Sequence, residues 1–200
     1  MIVATTPRFT RVVAEVWKPL VILFIWDVIV TVSYYALEFK APSLPLTLFG
    51  SALALFLGFR STSAYERWWE GRELWGRMIN ASRSLSRAAR SYLPDEEGRD
   101  LQRAIILRQI TYVHVLRCQL RKQDTRAEAL RFLSPDEAKP PLARNNVANG
   151  ILDGTGRRVD QARQKGWIDT IQQASIERVL VDIANAQGGM ERLKLSLIHI

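Results

Sequence analysis

The sequence predicts an all-α protein in which a transmembrane helical hairpin continues into a cytoplasmic helical bundle. Two stretches of membrane length, the uneven placement of charge around them and the lack of period-two alternation carry that expectation. Hydrophobic residues make up 48% of the 200-residue chain, and the longest runs lie near its start. Nineteen residues between Lys18 and Glu38 contain one charge, Asp27, and nineteen more between Lys40 and Arg60 contain none. A helix of that length reaches roughly 28 Å, close to the ~30 Å hydrocarbon thickness of a bilayer.

The first span is expected over residues 19–37 and the second over 41–59. Trp17 at one end of the first, and Tyr34 and Tyr35 at the other, suit the headgroup region. Pro19 is expected in the helix's first turn, where a missing N–H has no intrahelical partner. Arg8, Arg11 and Lys18 precede the first span, and Arg60, Arg67, Arg72, Arg77, Arg83, Arg87 and Arg90 follow the second. Lys40 is the only basic residue of the linker between Glu38 and Pro45. The positive-inside rule therefore places both chain ends in the cytoplasm, at the inner membrane, and makes the linker a short external turn bounded by Pro42 and Pro45. A cleaved signal peptide is one competing reading, but the second span follows at once with no clean small-residue cleavage site. A buried soluble hairpin is the other, and the rest of the chain holds too little apolar surface to cover two such helices.

From Arg60 to Tyr92 only Gly71 and Gly76 interrupt helical character, so the second span is expected to run on into the cytoplasm until Pro94. Residues 1–93 then form the membrane region, 94–193 a cytoplasmic helical region, and 194–200 a separate tail at a truncated end. Asp95, Glu96 and Glu97 are expected to open a helix reaching Lys122, with Leu101, Ile105, Tyr112, Val115 and Leu116 at near-helical spacing. A short helix over Ala127 to Phe132 and a proline-rich loop to residue 146 follow. Two last helices are expected, Val147 to Lys165, weakened by Gly150, Gly154 and Gly156, and Asp169 to Ala186, with Ile171, Ile176, Val179, Leu180 and Ile183 near one face. Gly188 and Gly189 are expected to stop the latter.

The most informative block is FGSALALFLGFRSTSAYERWWEGRELWG, Phe49 to Gly76, where an uncharged small-residue helix passes into an amphipathic one. Within it GFR at 58–60, ERWWE at 66–70 and LWG at 74–76 resemble the signature of bestrophins, in particular the bacterial homologues. NAQGGMER at 185–192 resembles a second block of that family, where a glycine-rich turn leads toward the next membrane segment. The signature residues are Gly58, Arg60, Glu66, Arg67, Trp68 and Trp69. Read without the resemblance, the two tryptophans fit an interfacial aromatic belt equally well.

The resemblance implies a homo-pentameric channel for monovalent ions whose pore is lined by the second membrane helix and narrows at an apolar neck. Leu55 and Phe59 match neck residues by position, and Ser51 departs from the apolar residue usual at the third position. The three fall at i, i+4 and i+8 on one helix face over ~12 Å. Without the resemblance, Leu55 and Phe59 read as helix-to-helix packing. Gly50, Ser51, Ala52, Ala54 and Gly58 would let membrane helices approach closely. The family subunit has four membrane helices, of which this sequence contains the first two. Chloride is the first choice of ion and sodium the alternative.

Asp27 is the one ionisable group at mid-span, and a hydrogen bond to a neighbouring helix is expected for it. Cys118 is expected to pack as a small apolar residue, and His114 stands without metal-ligand spacing around it. No phosphate loop, nucleophile set or paired carboxylates can be assembled, so neither an enzyme nor a cofactor is expected. The net charge of +8 raises the alternative of a two-span anchor whose basic helical part binds anionic lipid or a partner. Nucleic acid is not an expected partner, since the charge clusters where membrane topology requires it.

Overall fold

The computed structural model describes residues 9–36 and 45–196, so most of the expected external turn and the last four residues of the tail lie outside the described residues. Among these the elements are helices only: α1 Phe9–Ala36, α2 Leu46–Tyr92, α3 Arg99–Leu120, α4 Arg126–Leu130, α5 Pro135–Leu142, α6 Val147–Gln164 and α7 Thr170–Ser196. The chain divides into two compact units, Met1–Phe56 and Leu57–Ile200.

In the first unit α1 carries a stretch, Val16–Ala36, long and apolar enough to cross a membrane, and none of it is buried. Leu20, Leu23, Phe24, Trp26 and Val32 are exposed around its whole circumference, the pattern of a helix whose solvent is not water. Pro19 does not stand in the first turn as expected, because α1 begins at Phe9 and places it inside the helix. The segment ahead of it holds Ala14, Glu15 and Lys18, good helix formers that extend the helix toward the N-terminus. The second span starts at Leu46, later than residue 41, with the Pro45 carbonyl accepting from Leu48 N at 2.9 Å. α2 too is long and apolar enough to cross a membrane.

The second unit is built on a stripe along the later part of α2. Leu74, Met78, Ala81, Leu85 and Ala89 recur every three or four residues and are all buried. Opposite them lie Leu101, Ile105, Tyr112, Val115 and Leu116 of α3, the positions expected from periodicity, together with Cys118. α6 contributes Ile151 and Val159, and α7 contributes Ile176, Leu180, Ile183, Ala186 and Met190. Ile171, expected on that face, is exposed, since α7 begins only at Thr170 and its first turn lies at the edge of the core.

Three boundaries differ from expectation for physical reasons. Asp95 to Glu97 lie in the turn before α3, whose N-cap is Gly98, and Asp100 is the carboxylate within its first turn. The proline-rich segment holds a helix, α5, where a loop was expected. Ser134 caps it by accepting from Glu137 N, and Pro135 occupies the first position, where its missing N–H costs nothing. α7 does not stop at Gly188 and Gly189 but continues to Ser196. A Cβ on Gly189 would meet Leu74 Cδ2 at 2.6 Å, so this glycine is required by the close approach of α7 to α2 rather than by a helix end.

Candidate functional site

α2 carries Ser51, Leu55 and Phe59 through an unbroken helix, and all three are exposed. The Ser51 hydroxyl donates to Thr47 O at 2.6 Å, so its proton is used within its own helix while its oxygen keeps acceptor capacity. Leu55 and Phe59 are 61% and 66% exposed, which for large apolar side chains marks a surface awaiting lipid or another helix. Nothing lies within 4 Å of where a Cβ on Gly50 or Gly58 would stand, leaving these small positions open to close packing by a neighbour.

Beyond Phe59 the signature residues follow on the same helix. Arg60 and Glu66 are exposed and Arg67 is half-buried. Trp68 and Trp69 group with Tyr65, whose ring stacks on Trp69 at 6.3 Å between centroids. Arg72 lies over the Trp68 ring at 5.7 Å, and Trp69 Nε1 donates to Glu73 Oε1 at 3.0 Å. The rings are amphipathic and exposed, with the Trp69 polar edge met by Glu73 and the Trp68 face by Arg72, as suits a boundary between lipid and water.

The structure brings the two sequence blocks together, a relationship that spacing alone did not reveal. Glu70, closing ERWWE, pairs with Arg192, closing NAQGGMER. One turn along, Leu74 packs on Gly189, and Gly71 faces Leu193 at 3.8 Å from its would-be Cβ. Behind this seam Gln187 is buried and accepts from the Tyr112 hydroxyl at 2.6 Å. The Gln187 amide donates to Glu191 Oε1 at 2.7 Å and to Asn146 Oδ1 at 3.1 Å. Asn146 also donates to Glu191 at 3.0 Å and caps α6 by accepting from Asn149 N. Burial pushes the Tyr112 hydroxyl well above the ordinary tyrosine value, and the Glu191 carboxylate adds to the rise.

His114 faces Glu128, with Nδ1 at 3.4 Å from Oε2, while Arg117 Nη2 holds the other carboxylate oxygen at 2.9 Å. Among the described residues no group of three or more His, Cys, Asp or Glu is arranged to hold a metal ion. Asp27 is exposed on α1.

A family profile described as Bacterial/Fungal Bestrophin protein matches residues 5–197. The chain belongs to the bestrophin family. This bestrophin is 36% identical over 149 residues to a voltage-dependent anion channel-forming protein of Mesorhizobium japonicum, covering 74% of this chain and 47% of that one. It is 36% identical over 161 residues to the voltage-dependent anion channel-forming protein YneE of Escherichia coli K12, covering 80% and 52%. The chain thus spans about half the length of the curated relatives it matches. Two crystal structures of variants of a bacterial bestrophin homologue from Klebsiella pneumoniae resemble it. One superposes with a TM-score of 0.83 at 32% identity over 91% of this chain and 68% of that one. The other gives 0.76 at 34% identity, covering 85% and 64%. The all-α fold and the membrane character read from the sequence are those of this family.

Proposed function

We propose that this bestrophin works as a subunit of a passive channel for small monovalent anions, chloride first, in the bacterial inner membrane. The observation that carries the reading is the exposed face of α2, on which Leu55 and Phe59 lie one turn apart among small residues open to neighbours. Copies of this helix around an axis would present two apolar rings to the pore, and a dry constriction of that kind gates by wetting. The edges of the Phe59 rings carry partial positive charge, which favours a passing anion without a fixed cation in the path. The names of the relatives, anion channel-forming proteins, support the sign of the ion. The assembly is a homo-pentamer with lipid around α1, the N-terminus and the chain beyond Phe59 are cytoplasmic, and the turn between the spans is external.

Reversal potentials across planar bilayers in asymmetric NaCl test this directly. A potential moving toward the chloride equilibrium value is expected. A shift toward the sodium value would make the channel cationic. The absence of current under any gradient would leave the two spans as an anchor.

A further inference from the structure

Among the described residues Arg108 is the only charged side chain that is buried, at 4% exposure. It projects from α3 onto α6, so close that a Cβ on Gly154 would meet its Nη2 at 2.0 Å. Nη2 donates to Ile151 O at 3.1 Å, whereas Nε is enclosed and makes no hydrogen bond. None of the ion pairs among the described residues includes Arg108. Its charged neighbours are already engaged: Glu137 pairs with Arg158 at 2.5 Å, and Asp153 pairs with Arg144 at 2.9 Å and Arg157 at 3.2 Å. A guanidinium has five donors and no acceptor, and a buried cation left with one neutral acceptor is costly. Burial accordingly pulls the Arg108 pKa down, and Glu137 only partly opposes this.

The same side chain lines a cavity of about 380 Å³ between α5 and α6. Arg144, Arg157 and Arg158 line it too, against the carboxylates Asp136, Glu137 and Asp153, leaving one positive charge in excess. The guanidinium fork matches two oxygens of a tetrahedral oxyanion, and arginine is favoured over lysine for that reason. We propose that this cavity binds a phosphate group, with Arg108 as the buried anchor and Arg144, Arg157 and Arg158 around it. The volume exceeds that of a bare phosphate ion, so the group can be free phosphate or the end of a small phosphomonoester.

The test is thermal melting of the detergent-solubilised protein in rising inorganic phosphate or adenosine monophosphate, against sodium chloride at equal ionic strength. Because a ligand of the folded state stabilises by mass action, phosphate is expected to raise Tm saturably where chloride does not. Arg108→Met keeps an unbranched apolar stem without the guanidinium and its charge, and is expected to lose the saturable rise. Arg144→Gln with Arg157→Gln is expected to weaken the apparent affinity about tenfold or more. Stronger binding of the monophosphate assigns the site to phosphomonoesters, and equal or weaker binding assigns it to free phosphate. A phosphate curve that coincides with chloride overturns the proposal, as does an unchanged phosphate response in Arg108→Met. If Arg108→Met does not fold, unchanged affinity in the Arg144/Arg157 double variant overturns it instead.

Discussion

Gly189 of α7 lies against Leu74 of α2 with no room for a side chain, since a Cβ would meet Cδ2 at 2.6 Å and Cδ1 at 3.0 Å. Leu74 is itself buried and has little freedom to turn aside. Gly189→Ala is therefore expected to lower stability by about 1–3 kcal/mol, the usual range for overpacking a closed core. Combined with Leu74→Ala it should cost less than the two changes summed, because the smaller partner makes room. Denaturant midpoints of the four proteins in that cycle check this; additive costs would mean that the contact is slack.

A hydroxyl buried at the centre of the helical unit predicts a pH dependence. The Tyr112 pKa is raised on folding, so the stability tied to its neutral form is fully present below the ordinary value of about 10 and is lost as pH climbs beyond it. Urea midpoints are expected to fall through that alkaline range. Tyr112→Phe should be less stable at pH 7 by about 1–2 kcal/mol, because Gln187 Oε1 then loses its donor, and should show a flatter alkaline limb. A variant with the same alkaline slope as the parent would place the titration elsewhere.

The ion pair beside that seam is expected to matter little. Arg192 and Glu70 side chains are 72% and 39% exposed, and pairs so open to water contribute at most about 1 kcal/mol. Glu70→Gln should shift the melting curve only slightly at low salt and hardly at all in 0.5 M NaCl. A large, salt-insensitive loss would show that Glu70 is covered by another chain in the assembly.

Phe59→Ala and Leu55→Ala are each expected to raise single-channel conductance by widening and wetting the constriction. Ser51→Ala should leave conductance nearly unchanged, since the Ser51 proton is already given to Thr47 O. Planar bilayer recordings decide. Unchanged currents in both Phe59→Ala and Leu55→Ala would remove these residues from the neck.

The apolar character of Val16–Ala36 and of the start of α2 was legible because a bilayer imposes a length and a charge rule on the chain, whereas the start of α2 at Leu46 rather than at residue 41 was not. The core face of α3 was legible from period alone, with Ile105, Tyr112 and Leu116 all buried. Glycine and proline misled wherever they serve packing or capping. Gly189 read as a stop and is a contact; Pro140 and Pro141 read as loop and lie within α5, whose start Ser134 and Pro135 secure. Gly154 read as a weakness in α6 and is the space Arg108 occupies. Such pairings join residues far apart in the chain, so no local pattern announces them. The two family blocks were visible as motifs, but their meeting through Glu70 and Arg192 needed the fold.

Asn146 serves two masters: it caps the start of α6, and it holds the Gln187 and Glu191 side chains of α7. Fraying the first turn of α6 therefore strips partners from the C-terminal half of α7, and loosening α7 uncaps α6. The two segments should exchange their amide hydrogens together as one opening unit, although some forty residues separate them along the chain.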